Sequence, residues 1–126
     1  MRTTRTVAAG STSAVYRYEF NDPTSPTLYG FRVPGEDMSN AHSAELAYLF
    51  DFTLGERPLT ATQKELSAQM MRYWGAFARS GDPNVQGQPA WPRFDAADRV
   101  MQLRTGGAGE VITGYAADHH CGFWLG

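Results

Sequence analysis

Apolar positions along the chain recur at two periods, two and about three and a half, and turn residues separate the stretches that carry them. From Ala14 to Phe20, β-branched and aromatic residues dominate and Arg17 and Glu19 alternate with Tyr16, Tyr18 and Phe20, which predicts a strand. Asn21-Asp22-Pro23-Thr24-Ser25-Pro26 ends it, because two prolines and side chains that hydrogen-bond nearby backbone favour a turn over a ladder. A loop follows through Gly30, Pro34 and Gly35. Between Ser43 and Phe52, Leu46, Leu49 and Phe50 stand at i, i+3 and i+4, one face of a short helix that begins just after His42, with Ser43 as its candidate cap.

The longest helical pattern comes next. In Leu59-Thr60-Ala61-Thr62-Gln63-Lys64-Glu65, either Thr60 with Gln63 or Thr62 with Glu65 makes a capping box, so the helix starts at one of two points. Leu66, Met70, Tyr73 or Trp74, and Phe77 then recur at helical spacing up to Ser80-Gly81-Asp82-Pro83, where glycine at the cap and a following proline stop the helix. Beyond Trp91, Pro92 and Phe94, the alternation from Arg99 to Arg104 predicts a short strand, bounded by Gly106-Gly107-Ala108-Gly109. Those glycines are not a phosphate loop, which needs Lys-Ser or Lys-Thr at the start of the following helix, whereas Glu110 follows here. Glu110 to Leu125 reads as an irregular helix carrying Tyr115, Phe123 and Trp124, and residues 1–14 as a flexible or helical lead-in. No internal repeat is visible.

Composition narrows the function classes. At 126 residues, 42% hydrophobic and 13% aromatic, the chain has the apolar material for one core and is no low-complexity segment. A net charge of −2 gives no basic surface for phosphate backbones or anionic lipid, so neither nucleic acid nor membrane is expected as a partner. Cys121 is the single cysteine, which excludes an internal disulfide, a cysteine metal cluster and a Cys-x-x-Cys redox pair. The first ten residues hold two arginines but only a three-residue apolar run, too short for a signal peptide. The chain reads as soluble, with its compartment left open and the cytoplasm slightly favoured.

Few side chains are candidates for chemistry. His42 sits where a polar loop meets a helix, a position at which an imidazole stays accessible on a rigid support, although a lone histidine is more often structural. His42 and Glu45, at i and i+3, share a helix face as potential metal ligands, yet a site needs three or four and no third is evident, so no metal and no cofactor is expected. His119 and His120 are adjacent and point about 100° apart on a helix, which reads as polar decoration near the end of the chain. Tyr73, Trp74 and Phe77 read as core. Seven serines occur (Ser11, Ser13, Ser25, Ser39, Ser43, Ser67 and Ser80), none inside the Gly-x-Ser-x-Gly turn that exposes a nucleophile.

Several motifs in order resemble one family. Val15-Tyr16-Arg17-Tyr18-Glu19-Phe20 is similar to a late core strand of type-B carboxylesterases, and His42-Ser43-Ala44-Glu45-Leu46-Ala47-Tyr48-Leu49-Phe50 to the segment that opens with their catalytic histidine. Met70-Met71-Arg72-Tyr73-Trp74, Phe77-Ala78-Arg79-Ser80-Gly81-Asp82-Pro83-Asn84, Trp91-Pro92-Arg93-Phe94 and His119-His120-Cys121-Gly122-Phe123-Trp124 continue the likeness in register. Ser39-Asn40 replaces the small Gly-Ala pair usual before the histidine, and Ala47 a common proline.

The resemblance implies an α/β fold: residues 1–126 as the C-terminal portion of an α/β-hydrolase, with one or two strands, two to four helices and an incomplete sheet. It implies that His42 is the base of a Ser-His-acid triad and that Glu45 has a supporting structural role. In these hydrolases the order along the chain is serine, acid, histidine, so the nucleophile, the acid and the oxyanion hole belong to segments preceding this one. The expected activity is therefore carboxylic-ester hydrolysis, incomplete in this chain alone. Its partners are a small carboxylic ester, once the site is completed, and either the missing N-terminal portion of the hydrolase or further copies of the chain. The alternative is a non-catalytic oligomerising or interaction module derived from the same fold.

Overall fold

A computed structural model describes residues 2–26, 31–50, 58–95 and 97–125, without the side chains of 2, 3 and 125. The elements in chain order are α1 (Arg2–Gly10), β1 (Tyr18–Phe20), α2 (Leu46–Leu49), α3 (Ala61–Ser80), β2 (Val100–Leu103), β3 (Glu110–Ile112), α4 (Tyr115–Asp118) and α5 (Cys121–Leu125). The lead-in is thus helical over Arg2–Gly10. Gly30 of the expected loop and Phe52 of the expected helix lie outside the described residues.

Helix α3 is the frame of the molecule. Of the two possible capping boxes, Thr60 with Gln63 forms: the Thr60 side chain accepts from the Gln63 N–H, and the Gln63 side chain accepts from the Thr60 N–H at 3.0 Å. Gly81 closes the other end in the left-handed region at φ 73°, its N–H bonding the Phe77 carbonyl at 2.7 Å. The buried stripe runs Gln63, Leu66, Gln69, Met70, Tyr73 and Ala76, packing α3 against α2 and the sheet. Phe77, expected in that stripe, is 48% exposed, because Ala76 takes the inward position of the last turn and leaves Phe77 on the flank.

The sheet runs β1-β2-β3, with β1 parallel to β2 in the register Tyr18↔Met101, Glu19↔Gln102, Phe20↔Leu103. Helices α2 and α3 lie in the crossover that a parallel pair requires. Strand β2 is the central one: Val100, Met101 and Leu103 are buried and join Phe20, Tyr48, Leu66, Met70, Tyr73 and Trp91 in the core. The extended run expected from Ala14 pairs as a strand only from Tyr18, although the carbonyls of Val15 and Arg17 still accept from the N–H groups of Phe94 (2.8 Å) and Met101 (3.0 Å).

Two expectations are corrected. Glu110 to Leu125 is not one irregular helix: Glu110–Ile112 pairs antiparallel with β2, and two short helices follow after the left-handed Gly114. Gly109 eases this return, since a Cβ there would lie 2.8 Å from the Met101 sulfur and would push that side chain aside. Ser43 does not cap α2. It takes a left-handed φ of 65° within successive turns, and Glu45 occupies the N-cap position without a side-chain capping bond.

Candidate functional site

His42 lies on the stretch between two buried polar anchors. At one end, the Ser39 carbonyl accepts the Asp22 N–H at 3.1 Å. At the other, Tyr48 in α2 donates its hydroxyl to Asp22 Oδ2. Between them the backbone makes short turns, among them Ala41 N–H to Met38 O, Ala44 N–H to Ala41 O and Leu46 N–H to Ser43 O. His42 is exposed at the rim of an open cleft of about 410 Å³, while Ala44 and Ala47 turn inward to the core.

The cleft's other walls come from β1 and α4: Tyr18, Glu19 and Phe20, then Tyr115 and His119. Glu19 is the hub of this side. Its carboxylate takes His119 Nε2 at 2.8 Å, Gln102 Nε2 at 3.1 Å and Asn40 Nδ2 at 3.4 Å, so the loop before His42, β2 and α4 meet on one side chain. Arg17, two residues earlier and just ahead of β1, pairs with Asp98 at 3.3 Å and lies 3.8 Å from the Tyr115 ring centre, holding α4 by a cation–π contact. Tyr115 in turn stacks on His119, ring centres 4.1 Å apart.

Glu45 stands at the start of α2, on the wall of the same cleft. Burial, and after it the negative charge of the Glu45 carboxylate, pushes the Tyr18 phenol above the usual tyrosine range. Burial also works against the Asp22 carboxylate, but the bonds it accepts from Tyr48, from Gln63 Nε2 (2.8 Å) and from the Thr24 N–H and hydroxyl (2.8 Å each) outweigh it and hold the group below the usual carboxylate range.

The structure brings together His42, Glu45 and His119, and separates His120, which takes a left-handed φ of 48° and is exposed. His119 is therefore part of the cleft wall and not surface decoration. Of the seven serines only Ser43, beside His42 in sequence, is among the residues described as lining this cleft. Tyr73 is core and Trp74 half-buried; together with Tyr16, Tyr18, Phe77, Pro83 and Trp91 they line a separate apolar recess of about 170 Å³. Glu19, Tyr115 and His119 carry no sequence signal for this role, since Glu19 and His119 meet across 100 residues of chain. Among the described residues no three His, Cys, Asp or Glu side chains cluster as metal ligands, and no helix is long and apolar enough to cross a membrane.

Residues 1–124 match the model of the carboxylesterase family. The chain belongs to that family. It is 40% identical over 95 residues to the cocaine esterase of Homo sapiens, covering 74% of this chain and 16% of that protein. With carboxylesterase 4A of Bos taurus it shares 36% over 89 residues, again covering 16% of the relative against 71% of this chain. The chain thus spans only about a sixth of the length of these carboxylesterases. An esterase from Clostridium hathewayi, described as hydrolysing aliphatic aromatic polyesters, superposes with a TM-score of 0.63 at 22% identity, over 89% of this chain and 21% of that one. That likeness establishes the fold: a portion of an α/β-hydrolase, with a small three-stranded sheet and five helices among the described residues.

Proposed function

We propose that this carboxylesterase segment supplies His42 as the general base of carboxylic-ester hydrolysis. The observation that carries the reading is the placement of His42: an exposed imidazole at the rim of a cleft, on a loop anchored at both ends to one buried residue, Asp22, by its backbone N–H and its carboxylate. In a serine-histidine-acid site the imidazole takes the proton from the serine hydroxyl as the oxygen attacks the ester carbonyl, then gives it to the departing alcohol. Water repeats the cycle and releases the acid. The serine, the triad acid and the oxyanion N–H groups come from the rest of a carboxylesterase, since no serine of this chain lies in a Gly-x-Ser-x-Gly turn. Glu45 supports the site from the start of α2, on the wall of the same cleft. The substrate class is a small carboxylic ester. The partner is that remaining portion or a second copy of the chain, either of which would pair with the side of β1 that faces away from β2.

The test joins this chain to the preceding portion of a carboxylesterase relative and follows p-nitrophenyl butyrate hydrolysis. With His42→Ala, kcat is expected to fall by about 10³-fold or more, as when a triad member is removed. Equal rates for the two proteins would show that His42 is not the base.

A further inference from the structure

Asp22 stands outside the cleft and does not line it, yet it bonds both ends of the His42 loop. Its exposure is 0%, and every bond it accepts comes from within the protein. The two links to the loop differ in kind. The Asp22 N–H holds the Ser39 carbonyl, three residues before His42, with Ser39 itself 3% exposed. The Asp22 carboxylate holds the hydroxyl of Tyr48, six residues after it, with Tyr48 1% exposed. Between these points the chain makes local turns, one of which includes the left-handed Ser43, with one side-chain bond to β1 from Asn40 to Glu19 at 3.4 Å and core contacts through Ala44 and Ala47. Asp22 holds the two points where this stretch begins and ends.

We propose that Asp22 is a positioning residue for His42: its backbone N–H and its carboxylate together close the Ser39–Tyr48 loop and fix where the imidazole meets the cleft. The third arm, from Gln63 Nε2 at 2.8 Å, refers that position to α3, and Thr24 keeps the carboxylate turned toward the two helices. The value of this arrangement for catalysis rests on the reading of His42 as a base. The clamp itself does not.

The test measures amide hydrogen exchange of the whole chain, residue by residue, in Tyr48→Phe, Asp22→Asn and the control Gln63→Ala. Tyr48→Phe removes one hydroxyl and leaves the ring in the core. It is expected to speed exchange at Ala41 to Leu46 at least tenfold, with α3 from Met70 to Ala78 changed less than twofold. Asp22→Asn is expected to act at the same amides more strongly. Gln63→Ala, which loses its bond to Asp22 and the capping box, is expected to loosen the start of α3 and spare the loop. Uniform acceleration across loop and α3 in Tyr48→Phe, or equal loosening of the loop by Gln63→Ala, would reduce Asp22 to a general stabiliser and overturn the proposal. Should Asp22→Asn not fold, Tyr48→Phe decides alone. In the joined esterase, Tyr48→Phe is expected to lower kcat fivefold or more with KM within twofold. Normal exchange beside lost activity in His42→Ala would sink the clamp and keep the base, whereas the reverse pattern would keep the clamp and sink the base.

Discussion

The two ends of α3 are held to the rest of the molecule by opposite means. Its first turn is fastened by polar groups: Gln63 reaches Asp22, Asp22 reaches Tyr48, and Ser67 donates to the Tyr48 carbonyl at 2.7 Å. Its second half is fastened by rings, with Trp91 at their centre, 5.3 Å from Tyr73, 5.7 Å from Trp74, 6.0 Å from Tyr18 and 6.4 Å from Tyr16 between centroids. Ring packing removes much apolar area from water but tolerates small displacements, whereas a buried carboxylate with several fixed donors has a single satisfactory geometry. The polar end also anchors the stretch that carries His42, while Tyr18 of the aromatic end lines the same cleft. The contrast teaches a division of labour in which the aromatic end supplies stability and the Asp22 end supplies position.

The contrast can be broken most forcefully at Trp91. The residue is 5% exposed and its indole N–H bonds the Arg17 carbonyl at 3.0 Å, so Trp91→Ala empties the middle of the ring cluster and leaves that carbonyl with the Met101 N–H. A loss of about 3–5 kcal/mol is expected in urea unfolding, the range for buried large-to-small changes. A loss below 1 kcal/mol would deny the aromatic end its role. The polar end is sharpened by pH. The folded-state pKa of Asp22 lies below its unfolded value, so the unfolded chain binds the extra proton as acid is added. Its contribution is complete above the unfolded pKa of about 3.9 and disappears as pH falls through the lower folded value. The melting temperature is therefore expected to fall more steeply below pH 4 in the natural chain than in Asp22→Asn. Asp37, Asp82 and Asp95, which are also held low by hydrogen bonds, titrate in both proteins and cancel in the difference. Parallel curves would mean that Asp22 contributes no charge-dependent stability. The smallest effect is expected away from both ends, at the Arg104–Glu110 pair, whose side chains are 52% and 54% exposed at 2.7 Å. Arg104→Ala should change unfolding free energy by no more than about 0.5 kcal/mol, as solvent-screened pairs do.

Features written in adjacent residues could be read from the sequence. Thr60 with Gln63 and Gly81 before Pro83 mark both ends of α3, because caps are local chemistry, and the alternation of β1 and β2 marks strands for the same reason. Strand β3 is invisible by itself: it has three residues, two of them exposed, and exists because β2 offers Val100 to Gln102 as partners. Period two also conceals which faces are covered. Arg17 and Glu19 are the polar half of that alternation, yet their side chains are only 11% and 9% exposed, since α4 and the Asp98 turn close over them. For the site, a loop-to-helix junction at His42 is legible, and so is a turn at Asp22. That the turn's carboxylate is buried and tied to Tyr48 and Gln63, 26 and 41 residues on, depends on tertiary packing with no local sign.

The parallel register of β1 and β2 carries a consequence for how the chain acquires its shape. Glu19 and Gln102, side by side in the sheet, are 83 residues apart, so a large loop must close before a single rung of that ladder rewards it. Helix α3, whose bonds are all local, can nucleate early, while β1 waits for β2 to be synthesised and delivered. During that interval Tyr18 and Phe20 lack their β2 partners, and an apolar strand in that state is a stretch on which a chaperone can act.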